Sequence, residues 1–129
     1  MENPGSEFEF PIVNRSAMTI KMKKAFVDWA NQLPDRATEE VHRPLTLEEA
    51  NSEPVVYLIP EIYDPEELDA YLERSWIMLF EHLLSGWISD AVLWPKKRTF
   101  KMFTEWFEIA CNSMVYDLWG KEPLEYSDY

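Results

Sequence analysis

The chain has 129 residues and 24 acids against 12 bases, for a formal charge of −12, with 47% hydrophobic and 15% aromatic residues and three glycines. That length fits one domain with one aromatic-heavy core. The charge argues against a partner held through nucleic-acid phosphates, since backbone binding needs a basic face. No apolar run approaches the ~18 residues of a membrane span, one cysteine cannot form an intramolecular disulfide, and no basic leader opens the chain. A cytoplasmic protein is the expectation.

Gly5-Ser6-Glu7-Phe8 reads like a translated restriction-site linker, so residues 1–14 are set aside as a disordered tail or added remnant. The single domain is expected over residues 15–120. Met18, Ile20 and Met22 alternate with Ala17, Thr19 and Lys21, the period-2 signature of a half-buried strand. From Lys23 the period changes: Phe26, Trp29, Ala30 and Leu33 fall at helical spacing until Pro34-Asp35.

Thr46-Leu47-Glu48-Glu49 is a capping box, in which the threonine hydroxyl and the glutamate carboxylate satisfy each other's free backbone amides, and it predicts one helical turn. Next, Val55 to Ile59 is a continuous apolar run between Pro54 and Pro60. Apolar residues at every position suggest burial on both faces, and the run reads as a central strand.

Asp64-Pro65-Glu66-Glu67 starts a helix with a cap, a proline at the first helical position and an acid three residues after the cap. Leu68, Leu72, Trp76, Leu79, Phe80, Leu83, Leu84 and Trp87 then form one stripe, so the helix is expected from Asp64 to Trp87. Ile77 and Met78 lie off the stripe and are the candidates for a homodimer face. Pro95 stops any helix through Trp94, and Thr99 caps another that carries Phe100, Phe103, Trp106 and Phe107. Alternation from Glu108 to Leu118, apolar on both sides, predicts a strand interior to the sheet. Residues 121–129, acidic and tyrosine-bearing, read as a flexible tail.

Three strands and three main helices make an α+β fold: two layers, a small mixed or antiparallel sheet of about three strands, and helices mainly on one face. Strand order stays open.

Motifs for chemistry are sparse. There is no glycine-rich phosphate loop, and His42, His82 and Cys111 cannot by themselves fill a tetrahedral zinc site. No metal, cofactor or catalytic residue is expected. Cys111, on an apolar strand, reads as an inert buried thiol; His82, among acids, reads as a solvated or salt-bridged side chain. The acids from Glu61 to Asp69 are accounted for by helix capping.

Charge is segregated: thirteen acids against Arg43 and Arg74 alone between Glu39 and Asp90, then Lys96, Lys97, Arg98 and Lys101 without an acid. Asp90 and Arg98 flank Leu93-Trp94-Pro95, where a guanidinium near a carboxylate and an indole would make a rigid corner. Asp117, placed on an apolar strand, needs a partner.

Trp29, Tyr57-Leu58-Ile59-Pro60-Glu61, Leu93-Trp94-Pro95 with Arg98-Thr99, Trp106-Phe107 and Ser113-Met114-Val115-Tyr116-Asp117 together resemble a family of small uncharacterised bacterial proteins. The resemblance spans about Ala17 to Leu118. It implies a bacterial origin and a single domain, and supplies no mechanism.

The leading expectation is a non-enzymatic domain that binds a protein partner or itself, with Trp94, Arg98, Lys96 and Lys97 in the contact surface. The rival is a small-molecule binder or hydrolase with a pocket between the long helix and the sheet, lined by Trp87, Trp94 and Trp106 and oriented by Asp90, Arg98 and Asp117. A third reading is an acidic inhibitor or nucleic-acid mimic using the segment from Glu39 to Asp90.

Overall fold

Met18 and Ile20, one side of the first alternating segment, are completely buried, and the segment that carries them forms the middle of the sheet. The structure, a computed structural model, describes residues 10–34 and 43–127. The elements are β1 (Ser16–Met22), α1 (Lys24–Asn31), the single turn α2 (Leu47–Ala50), β2 (Val55–Ile59), α3 (Pro65–Trp87), a 3-10 turn (Ala91–Leu93), α4 (Phe100–Trp106) and β3 (Phe107–Asn112). The α+β expectation holds: three antiparallel strands in the order β2-β1-β3, with the helices packed on one face.

The predicted helix starts are present atom by atom. Asp64 Oδ1 accepts the Glu67 amide at 2.9 Å, Thr99 Oγ1 accepts the Met102 amide at 3.1 Å, and both halves of the Thr46/Glu49 box form. Arg43 grips the Glu49 carboxylate with two bonds of 2.7 and 2.9 Å. These contacts satisfy amides that a helix leaves free at its start.

The placement of two strands departs from expectation. β2 is an edge strand, not the centre: Ile59 is buried, but Val56 and Leu58 point away from the helices and are 60% and 50% exposed. The run is apolar on both sides, but only one of them meets the core. β3 is the other edge, and it ends at Asn112. Beyond it, Ile12 bridges Tyr116 and the Val13 amide bonds the Val115 carbonyl at 2.7 Å. This register is displaced by one residue from the β1–β3 ladder, and 113–118 lies outside β3, short of the strand expected to run to Leu118. Residues 11–13 of the presumed tail are thereby held beside 115–117.

The core is a chain of aromatic rings. Phe26 meets Trp29, Trp87, Trp106 and Phe107 with centroids 5.3 to 6.1 Å apart, and Phe80 meets Phe103, Trp106 and Phe107 at 5.3 to 5.8 Å. Burying each phenylalanine contributes about 1.5–3 kcal/mol before the tilted ring geometry adds to it. In α3, Leu72, Leu79, Phe80, Leu83 and Leu84 are buried along the predicted stripe, joined by Ser75. Ile77 and Met78 are exposed, at 54% and 63%.

Candidate functional site

The proline-stopped corner is built around its own polar groups. Asp90 caps the 3-10 turn, its Oδ1 accepting the Val92 amide at 3.0 Å. Trp94 Nε1 donates to the Ile88 carbonyl at 2.9 Å, and Trp29 Nε1, from α1, donates to the Leu93 carbonyl at 3.3 Å. Lys96 Nζ reaches the Val92 carbonyl at 2.6 Å.

Arg98 locks the corner to α3. Its Nη1 donates to the Pro95 carbonyl at 2.7 Å, its Nη2 meets Glu81 Oε1 at 3.2 Å, and its guanidinium carbon lies 5.8 Å from the Trp94 ring centroid. The expected indole is present, but the carboxylate is Glu81 rather than Asp90. Asp90 is committed to its own turn, while Glu81 sits on the helix the corner packs against. That pairing joins residues 17 apart in sequence and has no local signature.

Of the other proposed site residues, Trp106 and Lys96 share a surface trough with Trp94, while Trp87, Lys97 and Asp117 lie apart from it. Trp87 packs edge-on against Phe26. Asp117 is not on a strand: its Oδ1 accepts the Trp119 amide at 2.8 Å in a local turn, and its own amide donates to the Pro11 carbonyl. Lys96 and Lys97 are exposed at the surface. The space between long helix and sheet, where a pocket was expected, is filled by the rings of Phe80, Phe103 and Phe107. Trp87 and Trp106, expected to line that pocket, pack against the core rings of Phe26 and Phe80 instead.

A trough does exist, on the other side of the corner. Trp29, Trp94, Trp106 and Pro95 line an open depression of about 510 Å³, with Asp28, Gln32 and Lys96 at its rim. Asp28 is paired with Lys24 at 2.8 Å. Its tryptophans are half-buried and braced from behind, Trp106 lying 5.8 Å from Trp29 and 5.6 Å from Phe80.

A smaller hollow of about 260 Å³ lies where α3 begins, lined by Ile62, Tyr63, Asp64, Pro65, Leu68, Cys111 and Ser113. Burial pushes the Cys111 thiol up, away from the reactive thiolate. No histidine lines the hollow: His82 Nδ1 lies 2.7 Å from the Tyr57 hydroxyl, and His42 falls outside the described residues. Among the described residues no three His, Cys, Asp or Glu side chains gather as metal ligands, and no helix is long and apolar enough to cross a membrane.

The least expected surface is the outer face of the sheet. Ladder pairs place Leu58 beside Ala17 and Ala17 beside Asn112, then Val56 beside Thr19 and Thr19 beside Ala110. Only Lys21 and Glu108, paired across the next rung, bring charge to it. An antiparallel sheet with one solvated face ordinarily alternates polar-out; here the outward residues are mostly apolar or neutral. Val56 and Leu58 face outward and Val55, Tyr57 and Ile59 inward, but all five are apolar, so no alternation of polarity marks the open face in the sequence.

No family model matches the chain, and no curated protein or solved structure matches it. Nothing about function therefore reaches it from a relative.

Proposed function

We propose that this chain is a non-enzymatic protein-binding domain and that its contact surface is the open face of the sheet. One observation carries the reading: Val56, Leu58, Ala17, Thr19 and Ala110 form a contiguous face without charge that the helices leave uncovered. Contiguous apolar surface is costly to leave in water and marks interaction sites. The tryptophan corner supports the same reading indirectly, since its polar groups are engaged with one another and its role is to hold α1, α3 and α4 in place behind the sheet.

The test is photo-crosslinking in the cells that make the protein, with a photoreactive residue at position 58 or, as control, at Glu73 on the exposed side of α3. The expected result is a discrete protein adduct from position 58 and none from 73. Equal labelling from both positions, or none from either, refutes the reading.

Small-molecule binding is a second reading, supported by the tryptophan-lined trough of about 510 Å³. Indole faces braced from behind suit a planar or ring-shaped ligand, which would quench the fluorescence of Trp29, Trp94 and Trp106 on titration.

A further inference from the structure

β2 is bonded to the rest of the sheet along one side only. Among the described residues, no group outside β1 hydrogen-bonds its backbone, so its outer row of amides and carbonyls is unpaired. Natural edge strands usually carry a lysine, a bulge, an internal proline or an inward charge that blocks further pairing. β2 has none of these: five uncharged residues, Val55–Ile59, pair with β1 in unbroken register. Pro54 and Pro60 stand just outside and limit any added ladder to those five residues.

We infer that the outer edge of β2 is a strand-addition site whose occupant is an extended apolar segment of a partner protein flanked by basic residues. This rests on the protein-binding reading and names the partner's chemistry. Main-chain hydrogen bonds to the free edge supply affinity, and alternate side chains of the incoming strand lie beside Val56 and Leu58, widening the open face into a shared one.

Selectivity comes from the ends of the strand. Glu53 and Glu61 are both exposed and flank the five residues; Glu61 also accepts the Tyr63 hydroxyl. Antiparallel pairing of two copies about Tyr57 would set Val56 against Leu58 favourably, but it would place Glu53 opposite Glu61 of the second copy and join two chains of net charge −12. Like charges directly opposite destabilise a pair of strands. A segment with lysine or arginine at both flanks meets a carboxylate at each end instead, so the edge discriminates against self-pairing and in favour of a basic-flanked strand.

The experiment is fluorescence anisotropy of the full chain with three labelled peptides that share one apolar, alternating five-residue centre. One has lysine at both flanks, one has glutamate, and one has the lysine flanks with alternate centre amides N-methylated. The expected result is binding of the lysine-flanked peptide about tenfold tighter than the glutamate-flanked one, as two surface charge pairs allow, and loss of binding on N-methylation. In the Glu53→Lys/Glu61→Lys variant, both changes on exposed sites, the preference should reverse. Equal binding of methylated and unmethylated peptides, an unchanged preference in the variant, no binding at all, or sedimentation showing a dimer through β2 would each overturn the inference. A protein adduct from position 58 combined with any of those results leaves protein binding standing and removes only the edge as its route.

Discussion

The hydroxyl of Tyr57 and Nδ1 of His82 lie 2.7 Å apart, with their rings edge-to-face at 5.6 Å, and together they tie the free-edged strand β2 to the C-terminal third of α3. Tyr57→Phe keeps the ring and removes the bond. It should cost about 0.5–1.5 kcal/mol, read as a lower denaturant midpoint at unchanged slope. The pH dependence is a sharper test. Burial pushes the Tyr57 hydroxyl up to about 12, so between roughly pH 10 and 12 the unfolded chain has lost a proton that the folded protein keeps. The stability tied to this proton is intact below pH 10 and falls as pH rises through that window. The fall should be shallower in Tyr57→Phe; identical alkaline limbs would show that Tyr57 is not the group responsible.

Arg98 should be coupled to Glu81 and not to Asp90. A double-mutant cycle of Arg98→Met with Glu81→Gln is expected to give an interaction energy of about 0.5–1 kcal/mol for a partly exposed pair. The same cycle with Asp90→Asn should give a value near zero, because Arg98 bonds Glu81 and the Pro95 carbonyl while Asp90 bonds the Val92 amide. Coupling to Asp90 instead of Glu81 would place the corner differently.

Thr99→Ala removes the hydroxyl that accepts the Met102 amide and should destabilise by about 1 kcal/mol, while Thr99→Ser keeps most of it. Hydrogen exchange should locate the loss in the first turn of α4, and a uniform change across the chain would contradict a capping role.

Phe26 touches three tryptophans, so Phe26→Ala should both cost about 3–5 kcal/mol and shift tryptophan emission to the red as Trp29, Trp87 and Trp106 become wetter. A large loss of stability with unmoved emission would be inconsistent with the ring contacts described above.

The half-buried Cys111 thiol, pushed up by that partial burial, should react more slowly with a thiol reagent at pH 8 in the folded protein than in denaturant. Comparable rates in both would mean that the fold does not shield the thiol.

Much of the local architecture was legible in the residues because its causes are short-ranged. A cap at Asp64, Thr46 or Thr99 acts on an amide three residues away, and the stripe from Leu68 to Trp87 repeats at the period of the helix that buries it. The alternation of Met18 and Ile20 did the same for β1. Features that depend on distant neighbours left no such mark. Val55–Ile59 is apolar at every position, and a run of that kind is equally compatible with burial on both faces or with one face left open for a partner. Composition alone could not choose.

By itself, then, the chain determined its helices and strands, its aromatic core and its α+β class, since periodicity and capping operate within a few residues. Only the tertiary structure decided that β1 lies between β2 and β3, that Arg98 meets Glu81 while Asp90 caps its own turn, that the tryptophans enclose a surface trough instead of an interior pocket, and that the outer face and edge of β2 are uncovered. Those outcomes depend on how α3 lies across the sheet and on the register of strands far apart in sequence, and no local pattern encodes either.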